Sequence, residues 1–457
     1  MFEKKIDSWI KNEFLSINLP DARLNVRFLQ LMNDFIETPS ANIAQTFSGA
    51  WSKTKAAYRF VDNKNVDMNL IFEPHISKTR ERIAKEKGIV FAIEDTTYIN
   101  YGHHPKKRDL GKITSAYGHD INGIILHTTL AVSGRGIPLG ILDHNIFCRQ
   151  ERNEDHKLVP FEQKESFRWV KPINKVKNTE NIVFLCDREA DIHELFEECE
   201  NNNLKFIVRV EKNRILLDEE EKRNGENLID FIRLSKKRTS VEIIIPSKKN
   251  IAERKAVLGV YYEKIKVRAP QRLHQKRGQN LNLTVLRLFE TLKPKEGEQF
   301  EWILITNLEI KDGQDACTKA LWYKQRWHIE NYHKVLKSKC KIENCRLITA
   351  DRLQTFISMK SIIAFRIYFL THISRVEPET PCTAILEEHE WKALYMKINR
   401  RPPPKKSITI KEASILIAKL GGYLNRNSDP PPGLIVIGRG LERLKEISDN
   451  YLIFVGN

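Results

Sequence analysis

Residues 321–340, LWYKQRWHIENYHKVLKSKC, contain neither glycine nor proline, and the stretch is predicted to be one helix. At about 100° per residue, Tyr323, Arg326, Glu330, Lys334 and Lys337 fall within an arc of roughly 80°. Trp322, Ile329, Tyr332, Val335 and Leu336 spread round the other side. One face can therefore bury, while the other gathers an acid, three bases and a phenol. A solvated face with an i,i+4 pair such as Glu330 with Lys334 has the same pattern. The rest of the chain decides between the two.

The 457 residues suffice for several domains, and 41% hydrophobic with 30% charged residues is a globular composition. The formal net charge of +17 points to a polyanionic partner, of which nucleic acid is the commonest. The seven cysteines are scattered, odd in number and without a CxxC pair, which argues for free thiols in a reducing compartment. The first residues, MFEKKIDSWIKNEF, lack the apolar core of a signal peptide. Residues 355–373 are apolar but carry Lys360 and Arg366, which fits a buried core helix better than a membrane span. A cytoplasmic protein with no membrane partner is expected, placed on the chromosome or a plasmid if the cell is a bacterium.

Residues 1–70 are predicted to form short helices: one capped by Asp21, another starting at Pro39–Ser40, a third in WSKTKAAYRFVDN. Arg23, Arg27, Lys53, Lys55 and Arg59 give this small bundle basic edges, as a DNA reader needs and as many surface helices also carry. A helix over residues 70–87 follows. GIVFAIEDTTYINY, GIILHTTLAVSG, IPLGILDHNIF, NIVFLCDREAD and KFIVRVEK are then strand candidates, with helical character over residues 161–178 and in DIHELFEECENN. Asp95 and Asp187 each stand where an apolar strand is expected to end. An acid there is either a turn residue or a charge held by a partner or a metal. Residues 211–300 read as a β-rich insertion within this αβ region, and the part after the opening helix is helical, with a joint at NRRPPPKK and a break at Gly421–Gly422.

Two strand acids and one helix acid, Glu330, suggest a chemistry. Three carboxylates can hold two divalent cations about 3.5–4 Å apart. Oxygen donors suit Mg2+, which keeps waters and binds substrate phosphates. Arg326 and Lys337 can then hold phosphates, and Tyr323 can donate to a phosphate oxygen.

The spacing Tyr323-x2-Arg326-x3-Glu330-x6-Lys337 is similar to the YREK signature of the bacterial DDE transposases of insertion-sequence family four. IEDTT around Asp95, CDREADIH around Asp187, AAYRF at 56–60 and IAKLGGY at 417–423 resemble further segments of that family in the same order. The resemblance implies an RNase H-like α/β core, a mixed five-stranded sheet with flanking helices and a β-rich insertion at about 211–300. It implies all-α ends as well: a DNA-binding domain at 1–70, a catalytic domain at 71–375 and a dimerisation region at 376–457. It implies a catalytic, metal-binding triad of Asp95, Asp187 and Glu330, with two Mg2+ ions for which Mn2+ is expected to substitute. It further implies double-stranded transposon ends and target DNA as partners, a homodimer in the synaptic complex, and excision through a hairpin followed by attack of the 3′-hydroxyl on target DNA. Trp302 and Trp327 match the aromatics beside a flipped base, where an aromatic face offsets lost stacking. Lys334 and Arg209 join Tyr323, Arg326 and Lys337 as expected phosphate contacts. VIGRGLERL, at 436–444, departs from relatives that carry a tryptophan before the arginine. Two other readings remain open at this point: a metal-dependent nuclease that never joins ends, and a DNA-binding relic that keeps the fold without the activity.

Overall fold

The structure is a computed structural model that describes residues 6–114, 118–149, 159–176, 181–245, 253–271, 278–294 and 296–455. Residues 177–178 of the helical expectation and 272–277 of the basic loop in the insertion lie outside the described residues. The chain divides into two compact units, one made of Met1–Lys87, Thr96–Glu154 and His328–Asn457, the other of Gly88–Asp95 and Asp155–Trp327.

In chain order, α1 (Ser8–Glu13) is capped by Asp7 and α2 (Ala22–Glu37) by Asp21, which accepts the Arg23 backbone N–H as its position predicts. α3 (Ile43–Thr46) begins later than expected, because the cap is not Ser40 but Asn42, which forms a reciprocal capping box with Gln45. α4 (Trp51–Val61) and α5 (Met68–Lys85) complete the N-terminal helices. The strands β1 (Val90–Asn100), β2 (Gly111–Thr114), β3 (Asp120–Ser133) and β4 (Pro138–Phe147) follow. Residues 161–175 form three single 3-10 turns rather than an α-helix; Pro172, which lacks an N–H to donate, stands in the last of them. Next come β5 (Ile182–Cys186), α6 (His193–Asn201), β6 (Lys205–Arg209), β7 (Ile215–Leu217), β8 (Arg223–Asn227) and α7 (Leu228–Leu234). Then come β9 (Thr239–Ile245), β10 (Arg254–Val267), β11 (Leu281–Glu290), β12 (Glu301–Thr306) and α8 (Gly313–Trp322). The chain ends with α9 (Trp327–Ser338), α10 (Ala350–Val376), α11 (Glu388–Asn399), α12 (Ile410–Leu420) and α13 (Leu434–Val455).

The stretch 321–340 is not one helix. A 3-10 turn, Tyr323–Arg326, separates α8 from α9. No breaker residue causes it. The Trp322 ring packs against Phe91 of β1 and the Tyr323 ring against Trp302 of β12, so neighbouring aromatics serve two different strands and packing overrides propensity.

In the second unit β5 lies parallel between β1 and β6, and the order continues through β12, β11 and β10 to β7 and β8, with β9 also on β10. β12 to β10 run antiparallel, so the strands of residues 211–300 prolong this sheet. β1 covers most of the candidate GIVFAIEDTTYINY, and Asp95 stands within it rather than at a strand end as expected. The strand runs on to Asn100 because its polar second half still alternates, burying Thr97 and Ile99.

In the first unit β2 and β4 both pair with β3. α10 is long and apolar enough to cross a membrane, yet 83% of its apolar window is buried inside the fold. Its fully buried Lys360 donates to the Thr38 and Pro39 carbonyl oxygens and lies over the Phe35 and Phe356 rings, which is how a charge survives there. Near the C-terminus Trp391, Leu394, Ile417, Ile437 and Leu444 share one cluster. Gly421 faces the Val436 carbonyl and Gly440 the Ile417 carbonyl so closely that a Cβ at either would collide with backbone. The IAKLGGY and VIGRGLERL segments are thus the two sides of one tight α12–α13 contact. All seven cysteines are free.

Candidate active site

Parallel pairing sets the centre of the site. Ile93 pairs with Leu185, and one further two-residue step on each strand reaches Asp95 and Asp187. Side chains alternate along a strand, so the two carboxylates leave the same face side by side. Asp187 follows β5 in an extended conformation and accepts the backbone N–H of Glu189, which starts a short 3-10 turn. On the next strand Cys186 pairs with Val208, which sets Arg209 beside Asp187.

Cations line this pair of acids. Arg326 Nη1 lies 3.8 Å from Asp95 Oδ2, with both side chains largely buried. Burial, together with the Arg188 and Arg326 guanidiniums, pulls Arg209 below the usual guanidinium range, against the opposing effects of Tyr323 and Asp187. Arg188 was not singled out from the sequence; it is exposed on the turn after Asp187 and lies 3.5 Å from Glu211. Tyr323 does not share a solvated face with Glu330: it is 2% exposed, and burial pushes its hydroxyl far above the ordinary phenol range. Its ring meets Trp302 edge-on at 5.0 Å, and Trp302 also contacts Phe300 at 4.8 Å. Trp302 is only 8% exposed, whereas Trp327 is 43% exposed.

The remaining expected residues belong to the first unit. On α9, Glu330 and Lys334 are exposed and Ile329, Tyr332, Val335 and Leu336 are buried, which is the two-faced helix expected over this part. Lys337 is half-buried and donates to the Tyr98 carbonyl oxygen at 2.6 Å. On α4, Lys53, Lys55 and Arg59 are exposed beside Trp51 and Tyr58. On α2, Arg23 is exposed and paired with Asp21, and Arg27 is half-buried.

Asp95 and Asp187 offer the hard oxygen donors that Mg2+ takes, and their adjacency suits a shared divalent ion. Among the described residues no group of three His, Cys, Asp or Glu side chains is gathered closely enough to hold a metal. The two strand acids fit the ion; Glu330 belongs to the other compact unit.

Three family models match the chain. One described as Transposase DNA-binding covers residues 6–66, one described as Transposase DDE domain covers residues 118–366, and one described as Transposase Tn5 dimerisation domain covers residues 362–450.

Proposed function

The chain belongs to the DDE transposase family, whose catalytic-domain model spans more than half of it, and it is therefore a metal-dependent enzyme that cleaves and transfers DNA strands; we propose that it is a cut-and-paste transposase of insertion-sequence family four. In this reading it binds the terminal inverted repeats of its element, frees the element through a hairpin and joins the 3′-hydroxyl ends to target DNA. The observation that supports it best is the side-by-side placement of Asp95 and Asp187 with Arg209 and Arg326 at their flanks.

Asp95, Asp187 and Glu330 are the proposed ligands, and Mg2+ the proposed metal, two ions being required and Mn2+ serving in its place. Bound divalent cations supply activation of the attacking hydroxyl and stabilisation of the leaving oxygen at phosphorus. The protein's own side chains do the rest. Arg326, now beside Asp95, turns its fork to the phosphate next to the scissile one when DNA arrives. Arg209 and Lys334 hold further phosphates, and Lys337 grips the one at the hairpin. Tyr323, held protonated by burial, remains a hydrogen-bond donor across the working pH range. Trp302 stacks on the base turned out of the hairpin, with Trp327 beside it. Arg23, Arg27, Lys53, Lys55 and Arg59 meet the backbone of the terminal repeat.

The parallel run β1-β5-β6 supports an RNase H-like core with a five-stranded mixed sheet. We place that core at residues 71–375, with its β-rich insertion at about 211–300, between an all-α DNA-binding domain at 1–70 and an all-α dimerisation region at 376–457. The DNA-binding and dimerisation matches support a homodimer on DNA, here the synaptic complex of two ends, working in the cytoplasm of a bacterium. The test is an assay of purified protein on inverted-repeat DNA that separates nicked, hairpin and joined products. All three are expected with Mg2+; nicking without hairpin or joined product would replace this reading with a simple nuclease.

A further inference from the structure

The turn that carries Asp187 is held on both sides by ion pairs. On one side Glu189 accepts from Arg168 at 2.7 Å, and Arg168 is itself anchored on the Glu165 carbonyl oxygen and carboxylate and lies over the Trp169 ring. On the other side stands Asp191, 1% exposed. One of its oxygens accepts two consecutive backbone N–H groups, Glu211 at 2.8 Å and Lys212 at 2.7 Å. The other faces the Arg214 guanidinium, which also donates to the Asp191 carbonyl oxygen at 3.0 Å and lies over the Phe196 ring.

These contacts have a direction. Asp191 lies four residues after Asp187, and Glu211 two residues after Arg209. The carboxylate therefore ties the chain leaving β5 to the chain leaving β6, just beyond the point where Asp187 and Arg209 stand side by side. A buried carboxylate is costly unless paired and hydrogen-bonded; here one oxygen takes two hydrogen bonds and the other is paired with a guanidinium. A helix cap or a solvated turn would need neither the burial nor the guanidinium.

We propose that Asp191, clamped by Arg214, is a positioning residue that fixes the spacing of Asp187 and Arg209, and through it the affinity of the site for its metal. The inference rests on Asp187 being a metal ligand, as proposed above. Asp191→Asn keeps an oxygen for the Glu211 and Lys212 N–H groups but removes the charge opposite Arg214, so the clamp loosens while the hydrogen bonds can persist.

The experiment titrates Mn2+ onto the full chain bound to inverted-repeat DNA, counts the free ion by electron paramagnetic resonance, and measures end binding on the same samples. Asp191→Asn is expected to raise the Mn2+ dissociation constant by about 10-fold or more, the usual cost of losing a partner behind a ligand, with end affinity unchanged. Arg214→Lys, which keeps the charge but not the fork, should shift it in the same direction by less, and it answers for the clamp if Asp191→Asn does not fold. Asp187→Ala separates the two layers of inference. Lost Mn2+ binding in Asp187→Ala beside parental binding in Asp191→Asn and Arg214→Lys overturns the clamp alone. Parental Mn2+ binding in Asp187→Ala overturns the ligand assignment, and the clamp with it.

Discussion

Lys337 donates from its Nζ to the Tyr98 carbonyl oxygen at 2.6 Å, with the Glu343 carboxylate 3.9 Å away and accepting the Asn100 backbone N–H at 2.9 Å. Burial lowers the pKa of this lysine, and Glu343 opposes that shift. The ammonium is thus already aimed and partly desolvated, which favours a specific phosphate contact over a diffuse one. Removing a hydrogen bond to a charged group costs about 1.5–3 kcal/mol, roughly tenfold or more in rate. Lys337→Ala should therefore slow hairpin formation by at least that factor while first-strand nicking falls much less. Quantified gel analysis of both products tests this, and equal loss of both would remove the hairpin role.

Asp95→Ala, Asp187→Ala and Glu330→Ala should each take metal-dependent cleavage to background while end binding in a gel-shift assay stays near the parental level. Asp95 and Asp187 are neighbours in the sheet, but Glu330 stands on α9. Glu330→Ala is accordingly the most informative of the three. Parental cleavage by that variant would leave a two-carboxylate site and force a different third ligand.

What could be read from the sequence follows from how local each cause is. Asp21 caps α2 because its side chain meets an N–H two residues away, and such signals survive without tertiary context. The apolar runs around Asp95 and Asp187 declare two strands, but not that Asp95 stands inside one of them, which depends on alternating burial in the folded sheet. The turn at Tyr323–Arg326 could not be seen either, since nothing in YKQR breaks a helix and the cause is Trp302 and Phe91 at a distance in sequence. Asp191 was visible only as one more acid in CDREAD. Its meaning comes from Arg214, whose contact the chain creates on folding.

Glu13, His75 and Arg82 make stability depend on pH. His75 Nε2 accepts the Ile141 N–H, so Nδ1 carries the proton and donates to the Glu13 carboxylate at 2.5 Å; Arg82 donates to both Glu13 oxygens. Burial alone would raise the Glu13 pKa, but His75 and Arg82 outweigh it and hold the carboxyl below its usual range. Burial likewise keeps His75 below the ordinary imidazole value despite Glu13. Both groups thus bind fewer protons folded than unfolded. Their contribution is complete above the unfolded imidazole value, near pH 6.5, declines as the pH falls through it, and declines further below the unfolded glutamate value, near pH 4.3. Urea unfolding should show a midpoint that drops from pH 7 to pH 4. Glu13→Gln should cost about 1–3 kcal/mol at pH 7, because Arg82 and His75 lose their shared anion. It should flatten the decline below about pH 4.3, where the carboxyl titrates, but not the one near pH 6.5, since Glu13 opposes the lowering of His75. A variant with the parental slope below about pH 4.3 would remove Glu13 as its cause.

The net charge of +17 predicts that DNA affinity falls steeply with salt, because each neutralised phosphate releases condensed counterions. A protein making on the order of 6–10 phosphate contacts loses about 10³–10⁵ in affinity between about 50 and 200 mM salt. The exposed cations of α4 allow a sharper form of the test. Lys53, Lys55 and Arg59 project from a helix within the segment matched by the DNA-binding family model. If Lys55 meets a phosphate, Lys55→Ala should weaken binding to inverted-repeat and unrelated DNA alike and reduce the slope of log affinity against log salt by about 1. If Arg59 instead meets a base edge, Arg59→Ala should cost about 1–3 kcal/mol on the inverted repeat and little on unrelated DNA. Fluorescence anisotropy at several salt concentrations separates the two outcomes. A slope unchanged by Lys53→Ala, Lys55→Ala and Arg59→Ala together would move the DNA contact away from α4 altogether.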